Sequence, residues 1–146
     1  MHFTEGFCCS LTYWICADAS AQAYGACLYL KSENANETQI RLLCSKTRVT
    51  PLKTLSIPRL ELLAATLLSK LATKVVKIID LKFDEVHLFS DSKVILDWIQ
   101  TQPRLLKVFV ANRVSLIQEL TQTFSWYHVK TKDNPADLIS RGPTKL

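Results

Sequence analysis

LTYWICADASAQAYGACLYLK, residues 11–31, holds two apolar runs on either side of a short turn of small residues. Leu11 to Asp18 and Tyr24 to Lys31 are rich in aromatic and β-branched side chains, which pack well on a pleated surface, so the pair reads as a β-hairpin. The polar segment Ser32 to Glu37 is a turn, and Thr38 to Cys44 (TQIRLLC) can add a third strand, completing an antiparallel meander. Beyond it the periodicity changes. From Pro58 to Ile79 the apolar residues Leu60, Leu63, Leu67, Leu71, Val75 and Ile78 recur at helical spacing over about six turns. Pro58 suits the first turn, where its missing N–H costs nothing. Glu85 to Ser90 (EVHLFS) reads as a strand, and Ser92 to Gln100 as a helix with Val94, Ile95, Trp98 and Ile99 on one face. A further helical pattern runs from Leu105 to Leu120 after Pro103, Phe124 to Val129 is a last strand, and Asn134-Pro135 opens a last helix. The order β-β-β-α-β-α-α-β-α predicts an α/β domain with a mixed sheet and helices on its faces.

The composition bounds what such a chain does. Its 146 residues are 48% hydrophobic with only 3 Gly and 5 Pro, which fits a single domain with a real core and excludes fibrous and low-complexity classes. No apolar run approaches the ~20 residues of a membrane-spanning helix, and Met1 to Gly6 lacks the basic start of a secretory signal. A cytoplasmic or nuclear setting is the expectation. The five cysteines form no CxxC pair, and those at 16, 27 and 44 sit in apolar strands, where a thiol acts as a small hydrophobe. A net charge of +5 favours a polyanionic partner. Lys46, Arg48, Lys53 and Arg59 crowd one connection, and Lys130, Lys132, Arg141 and Lys145 crowd the C-terminal end; Arg104, Lys107 and Arg113 are further candidates for phosphate contacts.

Four carboxylates stand in places where a purely structural role is awkward. Asp18 ends the first strand and Asp91 the fourth. Glu61 shares its helix face with Ala64, Ala65, Leu68 and Ala72, a small apolar stripe on which a carboxylate needs a partner. Asp137 lies in the first turn of the last helix. Each has an ordinary alternative. Asp91 or Ser90 can cap the following helix, Asp137 fits a capping box begun by Asn134, Asp18 suits a turn, and Glu61 can pair with Arg59. Jointly they point elsewhere, since converging carboxylates repel and divalent cations relieve that repulsion.

The motifs carrying these acids resemble the ribonuclease H domain of retroelement polyproteins, in particular the BEL/Pao class of LTR retrotransposons. They are Cys16-Ala17-Asp18-Ala19-Ser20 with Tyr24-Gly25-Ala26, Ser56-Ile57-Pro58-Arg59-Leu60-Glu61-Leu62, Phe89-Ser90-Asp91-Ser92 and Asp133-Asn134-Pro135-Ala136-Asp137. The resemblance also takes in residues 44–49, 109–114 and 138–142, and so covers residues 12–142 with matches in the family's order. It implies a ribonuclease H-like fold with a five-stranded mixed sheet whose first three strands are antiparallel, as the residue pattern gives independently. It also implies a piece of a longer polyprotein, spanning residues 1–146 with its core at about 11–142.

By the same resemblance the activity is hydrolysis of the RNA strand of an RNA–DNA hybrid during reverse transcription, leaving a 5′-phosphate and a 3′-hydroxyl. Asp18, Glu61, Asp91 and Asp137 would ligate two Mg²⁺ ions, for which Mn²⁺ can substitute, with Asp18 bridging both. Ala19, Ser20, Gln22 and Ser92 fall where the family touches the nucleic acid, and Lys46 and Arg48 are candidates for phosphate contacts or for bracing a reverse transcriptase domain of the same polyprotein. Selectivity would rest on 2′-hydroxyls and groove shape. The family's loop histidine has no counterpart in Lys130-Thr131-Lys132-Asp133, and His128 falls inside the last strand pattern. The competing reading is a catalytically inactive ribonuclease H-like domain that binds nucleic acid or braces the polymerase. An integrase-like nuclease would need a late helical Glu, for which Glu119 is the only rough candidate.

Overall fold

The structure is a computed structural model that describes the backbone of residues 8–20, 23–33, 37–49, 55–78 and 85–130, and the side chains of 23–31, 37, 39–49, 55–78 and 86–130. The helix expected from Asn134, with Asp137, lies outside these residues, as do Gln22 and the side chains of Asp18, Ala19 and Ser20.

Strands β1 (Cys8–Ser20), β2 (Ala23–Glu33) and β3 (Thr38–Val49) pair antiparallel in chain order. Helix α1 (Ile57–Ile78) then carries the chain to β4 (Glu85–Ser90), which pairs parallel with β1. Parallel neighbours cannot be joined by a tight turn, so a long helical crossover is what the pairing requires. Helix α2 (Lys93–Gln100), a single 3₁₀ turn (Pro103–Leu105) and helix α3 (Val108–Leu120) form a second crossover, to β5 (Ser125–His128), parallel to β4. The sheet order is β3-β2-β1-β4-β5.

Several elements differ from the sequence expectation. Strand β1 runs from Cys8 to Ser20, so Asp18 lies two residues inside its end rather than closing it, and β2 continues past Lys31 to Glu33. Strand β3 continues past Cys44 through Val49, because the Leu28/Tyr29 register shift lets Ser45 to Val49 keep pairing with β2. As an edge strand it can expose Lys46, Thr47 and Arg48, so polarity there does not end it. The helix expected from Leu105 is divided instead: Leu106 N–H closes a turn on Pro103 O at 3.0 Å, and extended backbone at Lys107 separates that turn from α3.

The core sits between the sheet and α1. Five consecutive β2 residues, Ala26 to Leu30, are buried, so both faces of this strand are covered. On α1 the leucine stripe read from the sequence is not the deepest face. Leu60 and Leu67 of that stripe are buried, but Leu63, Leu71 and Val75 are half-buried and Ile78 is 69% exposed, while Leu62, Ala64, Ala65, Leu68 and Ala72 are fully buried. Contacts with β1, β2, α2 and α3 enclose the helix on several sides, and small residues let the neighbouring elements come close. Thr66 and Ser69 are buried there too, and their hydroxyls donate to the Leu62 and Ala65 carbonyls at 2.9 and 2.8 Å, so no polar atom is stranded.

Gly25 shows how closely β2 and β3 approach, for a Cβ at this position would lie 3.0 Å from the Lys46 carbonyl oxygen. Cys27 is buried on β2 and Cys44 half-buried on β3, both reduced thiols as the composition suggested. Burial foremost, and then neighbouring Cys27, push the Cys44 thiol above its ordinary range.

Two outcomes follow from this packing. Ala65→Leu should cost about 1–3 kcal/mol by overpacking, whereas Ile78→Ala should change stability by about 0.5 kcal/mol or less, both read from urea unfolding midpoints. The thiolate is the reactive form, so a raised value keeps Cys44 protonated at neutral pH. Its alkylation by iodoacetamide, followed site by site by mass spectrometry, should lag behind that of the urea-unfolded chain and catch up only in strongly alkaline buffer. The stability that the neutral thiol contributes is likewise complete below the ordinary thiol range and lost as pH rises through the raised value.

Candidate active site and flanking cationic grooves

The chain runs from β1 to β2 and β3 on one side of the sheet and then crosses to β4 and β5 on the other. The order in which the strands follow the chain therefore reverses at the parallel pair β1 and β4, and in open α/β sheets ligands bind beyond the carboxyl ends of the strands at such a point. The parallel register ends at Trp14 opposite Phe89. Asp18 lies four residues past that pair on β1 and Asp91 two residues past it, directly after β4, so both acids stand at this end of adjacent strands. The β1–β2 register also shifts between Cys16 and Ser20, which places Asp18 within a bulge. Bulges bend a strand locally and are frequent beside active sites.

Asp91 is positioned from below and above. The Ser90 hydroxyl accepts the Ser92 N–H at 3.1 Å, and the Ser92 hydroxyl accepts the Ile95 N–H at 3.3 Å as the N-cap of α2. The cap is thus Ser92, not Asp91 or Ser90, so the capping alternative for Asp91 falls. One Asp91 carboxylate oxygen is buried. Ser92 itself is 8% exposed, which withdraws its hydroxyl into the cap.

Glu61 sits in the second turn of α1, half-buried, heading the face whose next members, Ala64, Ala65, Leu68 and Ala72, are all fully buried. The alternative pairing with Arg59 does not form, because the Arg59 guanidinium lies over the Phe109 ring, 4.9 Å from its centroid. Among the described residues no three Asp, Glu, His or Cys side chains gather closely enough to hold a metal. Of the four candidate acids, only Glu61 and Asp91 have described side chains. His128, the last residue of β5, is exposed, while His87, Phe89 and Tyr127 stack on one another across β4 and β5.

Basic residues line two grooves beside α1. The first, of about 400 Å³, lies between the start of α1 and the turn before α3, with Ser56, Arg59, Trp98 and Lys107 on its walls. The second, of about 630 Å³, is lined by Tyr24 and Arg48 from the sheet, Thr66 and Lys70 from α1, and Asn112 and Arg113 from α3. Lys46 and Arg48 are exposed on β3. Sequence reasoning finds Arg48, Arg59, Lys107 and Arg113 as scattered cations but misses Lys70. On a helix whose leucines dominate the pattern, one lysine looks like ordinary surface, and only the α1–α3 crossing reveals its company.

Solved structures share this fold. LC11-RNase H1, determined in complex with an RNA/DNA hybrid, is 11% identical with a TM-score of 0.52, over 86% of this chain and 88% of that one. The N-terminal RNase H domain of rv2228c from Mycobacterium tuberculosis is also 11% identical, with a TM-score of 0.50 over 90% of this chain and 87% of that one. The protease-reverse transcriptase of prototype foamy virus matches at 11% identity and a TM-score of 0.50, over 100% of this chain and 22% of that one. At such identities the likeness speaks for the α/β RNase H-like fold alone. No curated protein matches the sequence. The family of Pao retrotransposon-like RNaseH-like domains matches residues 3–92, more than half of the sequence, and with the strand-end acids and the sheet order in agreement the chain belongs to that family.

Proposed function

We propose that this domain hydrolyses the RNA strand of RNA–DNA hybrids, as the nuclease part of a retrotransposon's reverse-transcription machinery. One observation carries the reading: the parallel β1–β4 register sets Asp18 and Asp91 at the same end of adjacent strands, at the switch point of the sheet. Glu61 at the start of α1, and Asp137 by family resemblance, complete an all-carboxylate set, and oxygen-only donors are what Mg²⁺ prefers. In this reading the four acids hold two Mg²⁺ ions, or Mn²⁺ in their place. When bound, such ions supply a polarised water and offset charge on the scissile phosphate.

The chain's own residues do the rest. Ser90 and Ser92 fix the turn that presents Asp91, and the buried oxygen of Asp91 strengthens its field by withdrawing it from water. Ala19, Ser20 and Gln22 flank Asp18 and contact the cut strand, where 2′-hydroxyls distinguish RNA from DNA. Lys46, with Arg59 and Lys107 of the first groove, holds backbone phosphates, which makes affinity salt-dependent. Support for the substrate comes from LC11-RNase H1, whose structure contains an RNA/DNA hybrid. The match to the foamy virus protein supports a reverse transcriptase as the accompanying domain. We place the activity in the cytoplasmic retrotransposon particle or in the nucleus.

The test is Mg²⁺-dependent cleavage of a labelled RNA–DNA hybrid, with double-stranded DNA as control. Asp91→Asn should reduce RNA-strand cleavage about 100-fold or more, the size of effect seen when one charge-stabilising group is removed from an active site. Because Asp91 is not the cap, this variant should unfold near the wild-type midpoint, whereas Ser92→Ala should lose about 1 kcal/mol. Salt-sensitive binding of the hybrid with no cleavage in Mg²⁺ or Mn²⁺ would overturn the nuclease reading in favour of an inactive binding domain.

A further inference from the structure

Arg113 of α3 is held in an unusual way. Its guanidinium carbon lies 3.6 Å from the Phe109 ring centroid, and one of its N–H groups donates to the Phe109 carbonyl at 3.0 Å. Arg59 approaches the same ring, so two permanently charged guanidiniums share one aromatic side chain. The ring attracts each cation, but the cations repel one another, and among the described residues no carboxylate lines either groove that they border. An anion would relieve this. Arg113 remains able to offer the other N–H groups of its fork, in a geometry already fixed by the stack.

The second groove joins Arg113 to Lys70 and Arg48, which are both exposed, with the polar side chains of Thr66, Asn112 and Tyr24 between them. Its three cations come from three elements, and at about 630 Å³ it is far larger than one phosphate needs. Its position ties it to the carboxylates. Arg48 pairs with Tyr24 across β3 and β2, and Tyr24 lies between Gly25, the partner of Cys16, and Ala23, the partner of Ser20. The groove therefore opens beside the bulge that contains Asp18.

We propose that Arg48, Lys70 and Arg113 form a binding groove for the sugar–phosphate backbone of a nucleic acid, away from the scissile bond, which holds the part of the hybrid that runs past the strand-end acids. The inference rests on the nucleic-acid reading above and adds to it a second point of grip. Leu63, Leu67 and Leu116 also line the groove, but backbone phosphates fit better than an acidic protein segment, because the groove opens at the strand ends where the substrate must lie and its cations come from three separate elements, spaced as successive phosphates would need.

The experiment measures binding of a labelled RNA–DNA hybrid to the full chain without divalent metal, across a range of salt concentrations, for the wild type and for the double variant Arg48→Gln/Lys70→Gln. Both positions are exposed, so folding should persist, and a thermal melt checks it. Removing two phosphate contacts should lower the slope of log affinity against log salt by about 2. An unchanged slope overturns the proposal and leaves the groove to an acidic protein partner. Wild-type cleavage in Mg²⁺, run alongside, separates the two readings. Cleavage with an unchanged slope sinks the groove alone, while a reduced slope without wild-type cleavage supports the groove and sinks the nuclease.

Discussion

Parallel pairing of β1 with β4 is the constraint on which the remaining architecture depends. It forbids a short connection, so α1 must cross the sheet, and it aligns the carboxyl ends of two strands that are far apart in sequence. Everything that makes the strand ends chemically interesting follows from that alignment. Asp18 reaches this edge from a strand whose register shifts beside it, and Asp91 from the turn into α2.

The helix that makes the crossover is also the centre of the core. Its smallest residues are its most buried, because neighbours press on it from more than one side, and its two buried hydroxyls are satisfied within the helix. A helix so enclosed has little freedom to tilt or slide. That rigidity matters for any chemistry at its start, where positioning to a fraction of an ångström separates a useful carboxylate from an idle one. Thr73, whose hydroxyl lies 3.4 Å from the Leu120 carbonyl, ties the far end of α1 to the end of α3 and fixes the walls of the second groove.

Charge is distributed to match. The parallel register puts Asp18 and Asp91 at one end of adjacent strands, while the described residues on the walls of the two grooves include cations and no acid. A polyanion drawn toward the domain by its net charge of +5 would find hydrogen-bond donors in both grooves. The Phe109 ring lies against Arg59 of the first groove and Arg113 of the second.

Much of this was legible in the chain itself. The Leu11–Lys31 hairpin, the strand at Glu85–Ser90 and the long helix from Pro58 each announce themselves by local periodicity, because burial on one side imposes a period of 2 or 3.6 on the residues that face it. The four acids were identifiable as misplaced charges, and their motifs carried the family. What local pattern could not carry is whatever depends on a third element. The deepest face of α1 was decided by neighbours on several sides, and β3 ran on through polar residues because an edge strand pairs on one side only. Lys70 acquired significance only when α3 brought Arg113, and β3 brought Arg48, to the same groove. Sequence determined which elements form and which residues are out of place in them; the tertiary structure decided which of those residues meet, because contact across elements is set by strand register and helix crossing, and neither is written in the period of a single segment.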